Sequence, residues 1–227
     1  MKNLVIFGDS ISKGIIYEDG RIKKAKVSAV DILHDYYKFD SVKNYSVYGQ
    51  TLARLMNKGT IDEYLKTVDY TGDNYAAICI GGNDADYDWR TIALSPEVAH
   101  SPLTPLNDYA SMLDCAVKKL IGSGHKVFLL TLPPVYSQLY FSNVISKIAD
   151  GDNVMKFLGG DVSNIYRHQE LFNYEVIKCA YNNGINLIDI RSALLNDRDC
   201  SSKYCLDGVH PNQMGQSFLA DSIITCA

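Results

Sequence analysis

Hydrophobic and polar positions along the 227-residue chain change period several times. Five short apolar runs, Asn3–Phe7, Val42–Ser46, Tyr75–Ile80, Lys126–Thr131 and Ile185–Ile190, read as buried strands. Between them lie stretches with helical period: Val27–Phe39, Asn107–Ile121 and Ser163–Asn182. In the second, Tyr109, Met112, Leu113, Ala116, Val117 and Leu120 form one apolar stripe. Asn183-Gly184 supplies a stop for the third. A last helix is expected over Pro211–Cys226, with proline at its start. Strands alternating with helices predict a parallel sheet covered on both faces.

No internal repeat or low-complexity linker interrupts this order, and the length suits a single domain over 1–227. In such sheets ligands bind beyond the carboxyl ends of the strands. Ser10, Gly49 and Asn83 follow the first, second and third predicted strands. They should therefore lie along one edge.

Composition narrows the function classes. A formal net charge of −4 gives no basic face for nucleic acid. No segment is long and apolar enough to cross a membrane. Met1 and Lys2 lead straight into the first strand without a leader, so the chain reads as cytoplasmic. None of the six cysteines forms a C-x-x-C pair or a cluster with histidine at zinc spacing, so no metal and no cofactor is implied. Cys79, Cys115 and Cys179 read as small core residues, and Cys200 and Cys205 as free thiols despite their closeness. Oligomeric state is not readable from the sequence.

Ser10 sits in "FGDSISKG", at the end of a core strand and at the expected start of a helix. There it is either a helix cap or a nucleophile. "CLDGVHPNQMGQ" puts Asp207 and His210 three residues apart on a loop before the last helix. A serine becomes nucleophilic when a histidine takes its proton, and a carboxylate fixes the tautomer of that histidine. Acyl transfer also needs donors for the developing oxyanion. The N–H of Gly49 in "NYSVYGQT", the amide of Asn83 in "ICIGGNDAD" and the N–H of Ser10 are suitable. Each of these residues alone has a plain reading as a cap or turn. Asp9 in particular is explained as a carboxylate at a helix start. His34, His100, His125 and His168 have no comparable setting.

Together these blocks resemble the SGNH hydrolases, also called GDSL esterases and lipases. The first motif of that family matches Gly8-Asp9-Ser10, with Ile11 where leucine is frequent. Its second-block glycine matches Gly49. Its G-x-N-D block matches Gly81-Gly82-Asn83-Asp84, and its D-x-x-H block matches Asp207-Gly208-Val209-His210, followed by Pro211. The resemblance implies a flavodoxin-like three-layer α/β/α sandwich with a central parallel five-stranded sheet. It also implies ester hydrolysis through an acyl-serine. The G-x-S-x-G elbow of α/β-hydrolases is absent, and "GDSISKG" is not a phosphate loop.

Two segments exceed the usual connection length and read as insertions, at about 84–106 and 133–162. Trp89 and Tyr87 in the first and Tyr136 in the second are candidate substrate contacts; the alternative is that these rings only anchor the loops. The partner implied is a small-molecule ester, with short-acyl esters of soluble molecules or carbohydrates favoured because no long apolar loop is evident. Lysophospholipase or acyl-thioesterase activity remains open. The rival of another class is a catalytically silent module that binds a sugar or nucleotide.

Overall fold

A computed structural model describes residues 1–18 and 20–226. The first strand, β1 (Lys2–Gly8), ends in a turn that enters an antiparallel pair, β2 (Ile15–Glu18) and β3 (Arg21–Lys24). Helix α1 (Ala29–Tyr37) follows, opened by a capping box in which Ser28 and Asp31 satisfy each other's backbone N–H groups. Strand β4 (Ser41–Asn44), helices α2 (Leu52–Asn57) and α3 (Thr60–Leu65), and strand β5 (Asp73–Cys79) come next. The first long connection contains α4 (Trp89–Leu94) and leads to α5 (Leu106–Gly122) and strand β6 (Lys126–Leu130).

The second long connection is largely helical. It carries α6 (Ser137–Tyr140), a π-helical turn (Phe141–Ile145), α7 (Ser146–Ile148) and α8 (Gly151–Phe157). Helix α9 (Asn164–Asn183) then runs to a stop at Gly184, as its sequence predicts. Strand β7 (Asn186–Ile188), α10 (Ile190–Asn196), a short 3₁₀ turn and α11 (Gln213–Cys226) complete the chain.

The expected parallel sheet is present, in the order β4-β1-β5-β6-β7. Its strand order reverses between β1 and β5. The crevice beyond their carboxyl ends is therefore the natural ligand site of such a sheet. Side chains alternate across the strands. Val5, Phe7, Ala76, Ile78, Val127 and Leu129 pack with the α5 stripe and with Phe172 and Val176 of α9. Leu130 and Ile188 face the opposite way and cluster with Leu33 of α1 and Leu219 and Ile223 of α11.

Several sequence expectations are corrected. No helix begins at Ser10: the N–H groups of Lys13 and Ile15 return to the carbonyls of Asp9 and Ser10, so the turn feeds β2. Pro211 does not start a helix, because its backbone pairs with Tyr204 and α11 begins at Gln213. Cys115 is exposed, since it falls beside the buried stripe of α5 and not on it. Cys79 is only half-buried. All six cysteines are free.

Candidate active site

Four loops converge at the sheet edge, those after β1, β4 and β5 and the one before α11. Beyond β1, the carboxylate of Asp9 accepts the N–H of Ile11 at 2.9 Å and so ties the turn that presents Ser10. Before α11, the loop carrying Asp207 and His210 closes on itself. Asp207 Oδ1 accepts the N–H groups of Val209 and His210, each at 3.0 Å. Gly208 adopts φ +70°, where a side chain is strained, and an added Cβ would lie 2.6 Å from the carbonyl of Tyr136. The carbonyl of Gly208 in turn accepts the N–H of Tyr136 at 2.8 Å. The loop is thus clamped against the second long connection.

The result is one continuous chain of hydrogen bonds. Asp207 Oδ2 lies 2.6 Å from His210 Nδ1, and His210 Nε2 lies 2.8 Å from Ser10 Oγ. All three residues are buried. Burial would raise the Asp207 pKa. The hydrogen bond and charge of His210, with the two backbone N–H groups, outweigh it and hold the carboxyl below its ordinary range. Asp9 has no such compensation. Burial pushes it up to about 6 against the weaker pull of the Ile11 N–H and His210.

Gly49 and Asn83 line the same cavity as Ser10 and His210. Gly49 sits at φ +66° with nothing within 4 Å of where a Cβ would be, so its backbone is open to approach. Asn83 Nδ2 donates to the carbonyl of Gln50 at 3.0 Å, which orients its amide and leaves the second N–H of that amide group.

Two residues at this edge have roles that the sequence does not assign them. Asp84, fully buried, takes the Leu52 N–H on both carboxylate oxygens at 2.9 Å and the Thr104 hydroxyl at 2.6 Å. It joins the end of β5 to the start of α2 and so holds the Gly49–Gln50 loop that precedes α2 in place. Its position beside Asn83 reads as a turn; only its burial discloses the tie. The ring of Tyr48 stacks on His210, with centroids 6.0 Å apart and planes 10° apart. The run Tyr48-Gly49 was a usable signal for an aromatic at the site.

The three aromatic candidates divide. Trp89 is buried among Ile92, Ile145, Val154 and Leu158, and its indole N–H donates to Asp86 at 2.8 Å. Tyr140 donates to the other oxygen of Asp86 at 2.6 Å. The buried carboxylate of Asp86 therefore stitches the two long connections together, and burial raises its pKa. Trp89 and Tyr87 also border the cavity. Tyr136 does not: its ring is part-exposed near Tyr204, and its backbone supports Gly208.

Among the described residues, no group of three or more His, Cys, Asp or Glu side chains could hold a metal ion, and no helix is long and apolar enough to cross a membrane.

The fold is that of solved esterases. A lipase/acylhydrolase from Enterococcus faecalis superposes with a TM-score of 0.68 at 18% identity, over 99% of this chain and 94% of that one. A member of the lipolytic G-D-S-L family from Veillonella parvula gives 0.65 at 17%, over 99% and 97%. Axe2, an acetylxylan esterase from Geobacillus stearothermophilus, gives 0.64 at 19%, over 99% and 92%. No curated protein matches the sequence. The family model of GDSL-like lipases and acylhydrolases matches residues 4–223, nearly the whole chain. With that match, the parallel five-stranded sheet and the esterase neighbours, the chain belongs to the GDSL-like lipase/acylhydrolase family and is a carboxylic ester hydrolase.

Proposed function

We propose that this single hydrolase domain cleaves carboxylic esters through an acyl intermediate on Ser10. The observation that carries the reading is the unbroken path from Asp207 through His210 to the Ser10 hydroxyl. His210 Nε2 takes the Ser10 proton as Oγ attacks the ester carbonyl. Asp207 holds Nδ1–H and stabilises the imidazolium that forms. The N–H groups of Ser10 and Gly49 and the amide of Asn83 receive the oxyanion. His210 then returns the proton to the leaving alcohol, and a water activated by the same imidazole releases the acid. No step calls for a metal or a cofactor. A silent binding module has no use for a carboxylate-imidazole-hydroxyl path, and this counts against it.

The absence of a long apolar loop favours short-acyl esters of small soluble molecules or carbohydrates as substrates. A fluorophosphonate should add one adduct to the intact protein and abolish turnover of an acetyl ester, and Ser10→Ala should prevent the adduct. Labelling at another serine with Ser10 unmodified overturns the assignment.

A further inference from the structure

The cavity at Ser10 does not end at the sheet edge. Its volume is about 1220 Å³, and it continues beneath α1 and α11 along one face of the sheet. Its floor includes Cys79, Ala77 and Phe128, and its roof Leu33, Leu219 and Ile223. It reaches Lys2 and Asn186, at the opposite ends of their strands from the catalytic edge. Strand β5 lies in the middle of the sheet, with helices over both faces. Yet Tyr75, Ala77 and Cys79 are each half-buried, while Asn74, Ala76 and Ile78 between them are buried. Solvent-sized space therefore runs under the helices and not merely at the rim.

Local chemistry accounts for the gap. Beside the catalytic end the floor offers Ala77 and Cys79, which are small, and the helices above contribute Leu33, Leu219 and Ile223. Further along, Tyr75 and Phe128 line the space with stacked rings 6.1 Å apart. Both Lys2 and Asn186 are exposed, so the far end opens to solvent. The chamber spans the length of β1, seven residues, or roughly 23 Å at about 3.3 Å per residue. A largely apolar space of that length, in the same cavity as the nucleophile, fits an extended hydrocarbon chain.

We propose that this chamber receives the acyl chain of the substrate, so that the preferred esters are long-chain and not short-acyl. The proposal rests on the Ser10 reading for its chemistry but on the chamber alone for its ligand. An acyl group bonded to Ser10 Oγ extends past Cys79 and Ala77, with its terminal methyl towards Tyr75 and Phe128. Burial of a methylene from water is worth a factor of about four in binding. The gain should continue with chain length until the chamber is filled.

The test uses p-nitrophenyl esters from acetate to dodecanoate, and separately calorimetry of dodecanoate binding to the intact protein. Wild type should show kcat/KM rising up to about four-fold per methylene, and dodecanoate should bind. Ala77→Phe should fill the chamber. It should remove dodecanoate binding and abolish the rise of kcat/KM with chain length, so that the dodecanoyl-to-acetyl ratio of kcat/KM falls towards one. Ala77→Leu gives a graded version of the same loss if the phenylalanine variant does not fold. A flat or falling chain-length profile together with no dodecanoate binding overturns the chamber while leaving the esterase reading intact. Dodecanoate binding that Ala77→Phe abolishes, in a protein that cleaves no ester, leaves the chamber standing and removes the esterase reading.

Discussion

The two faces of the central sheet are built from the same strands, yet they pack differently. On the α5/α9 side, Val5, Phe7, Ala76, Ile78, Val127 and Leu129 are all buried, and Tyr109 and Phe172 fill the space between helices and sheet with two rings 5.1 Å apart. On the α1/α11 side Tyr75, Ala77 and Cys79 of the central strand are only half-buried, and a cavity runs beneath the helices. Lining atoms beside a void lose their dispersion partners on that side. The contrast teaches where this fold keeps its stability and where it keeps room. The tight face anchors the strands whose tips carry Ser10 and Asn83, and the loose face leads away from Ser10.

The sharpest way to break the contrast is a matched pair on one strand. Leu129 faces the tight side and Leu130 the chamber, and both are buried. Leucine-to-alanine changes in cores destabilise by about 2–5 kcal/mol, and more where the surroundings cannot relax. Leu129→Ala should fall near the top of that range, at about 4 kcal/mol, and Leu130→Ala near the bottom, at about 2 kcal/mol. Urea unfolding of both variants gives the difference directly. Equal losses would mean that the two faces are equally packed.

A second measurement asks whether the catalytic end of the cavity is dry. Asp9 borders it, and burial raises its carboxyl to about 6. A folded-state pKa above the unfolded one means that the native state holds the proton more tightly. The associated stability is complete below the unfolded value of about 4 and is lost as pH rises through about 6. The shift of about two units corresponds to roughly 3 kcal/mol over that window, flat above it. Asp9→Asn keeps an oxygen for the Ile11 N–H and should erase the slope, read as the wild-type-minus-variant difference in unfolding free energy. Asp207 contributes with the opposite sign. Its pKa is held low, so its stabilisation is lost as pH falls through the folded value, and the subtraction cancels it. A wild-type curve parallel to that of Asp9→Asn would show a hydrated Asp9.

These two regions also differ in how far the sequence disclosed them. The buried β-strands and the stripe of α5 were legible because period and burial coincide, and the Ser10, Asp207 and His210 set followed from the residue types that acyl transfer needs and from the motif blocks that carry them. Boundaries moved where backbone pairing decided them, as at Pro211, which bonds to Tyr204 instead of opening α11. The β2–β3 pair was missed because "IIYE" and "RIKK" are too short and too polar to stand out from a loop. The tie made by Asp84 is not legible in the sequence, because its partners, Leu52 and Thr104, lie 32 and 20 residues away. The chamber was invisible for a further reason. A strand pattern shows which residues face a helix, but not whether the facing side chains are large enough to meet.

The smallest effect, and the most specific, comes from adding volume at adjacent residues of β5. Ala76 is fully buried on the tight face, and Ala77 opens on the chamber. A leucine at 76 must displace neighbours that are already close-packed, and overpacking of this kind costs about 1–3 kcal/mol. A leucine at 77 enters existing space. It buries new methylenes at about 0.8 kcal/mol each, offset by lost rotamer freedom of about 0.5–1 kcal/mol. Ala77→Leu should therefore leave stability unchanged or raise it by up to about 1 kcal/mol, where Ala76→Leu lowers it. Thermal and denaturant midpoints of the two variants, taken side by side, measure the sign. A destabilised Ala77→Leu would mean that the α1/α11 face has no room to give, and the acyl chamber would fall with it. A stabilised Ala77→Leu that also loses long-chain turnover would show that the packing defect on this face serves the substrate.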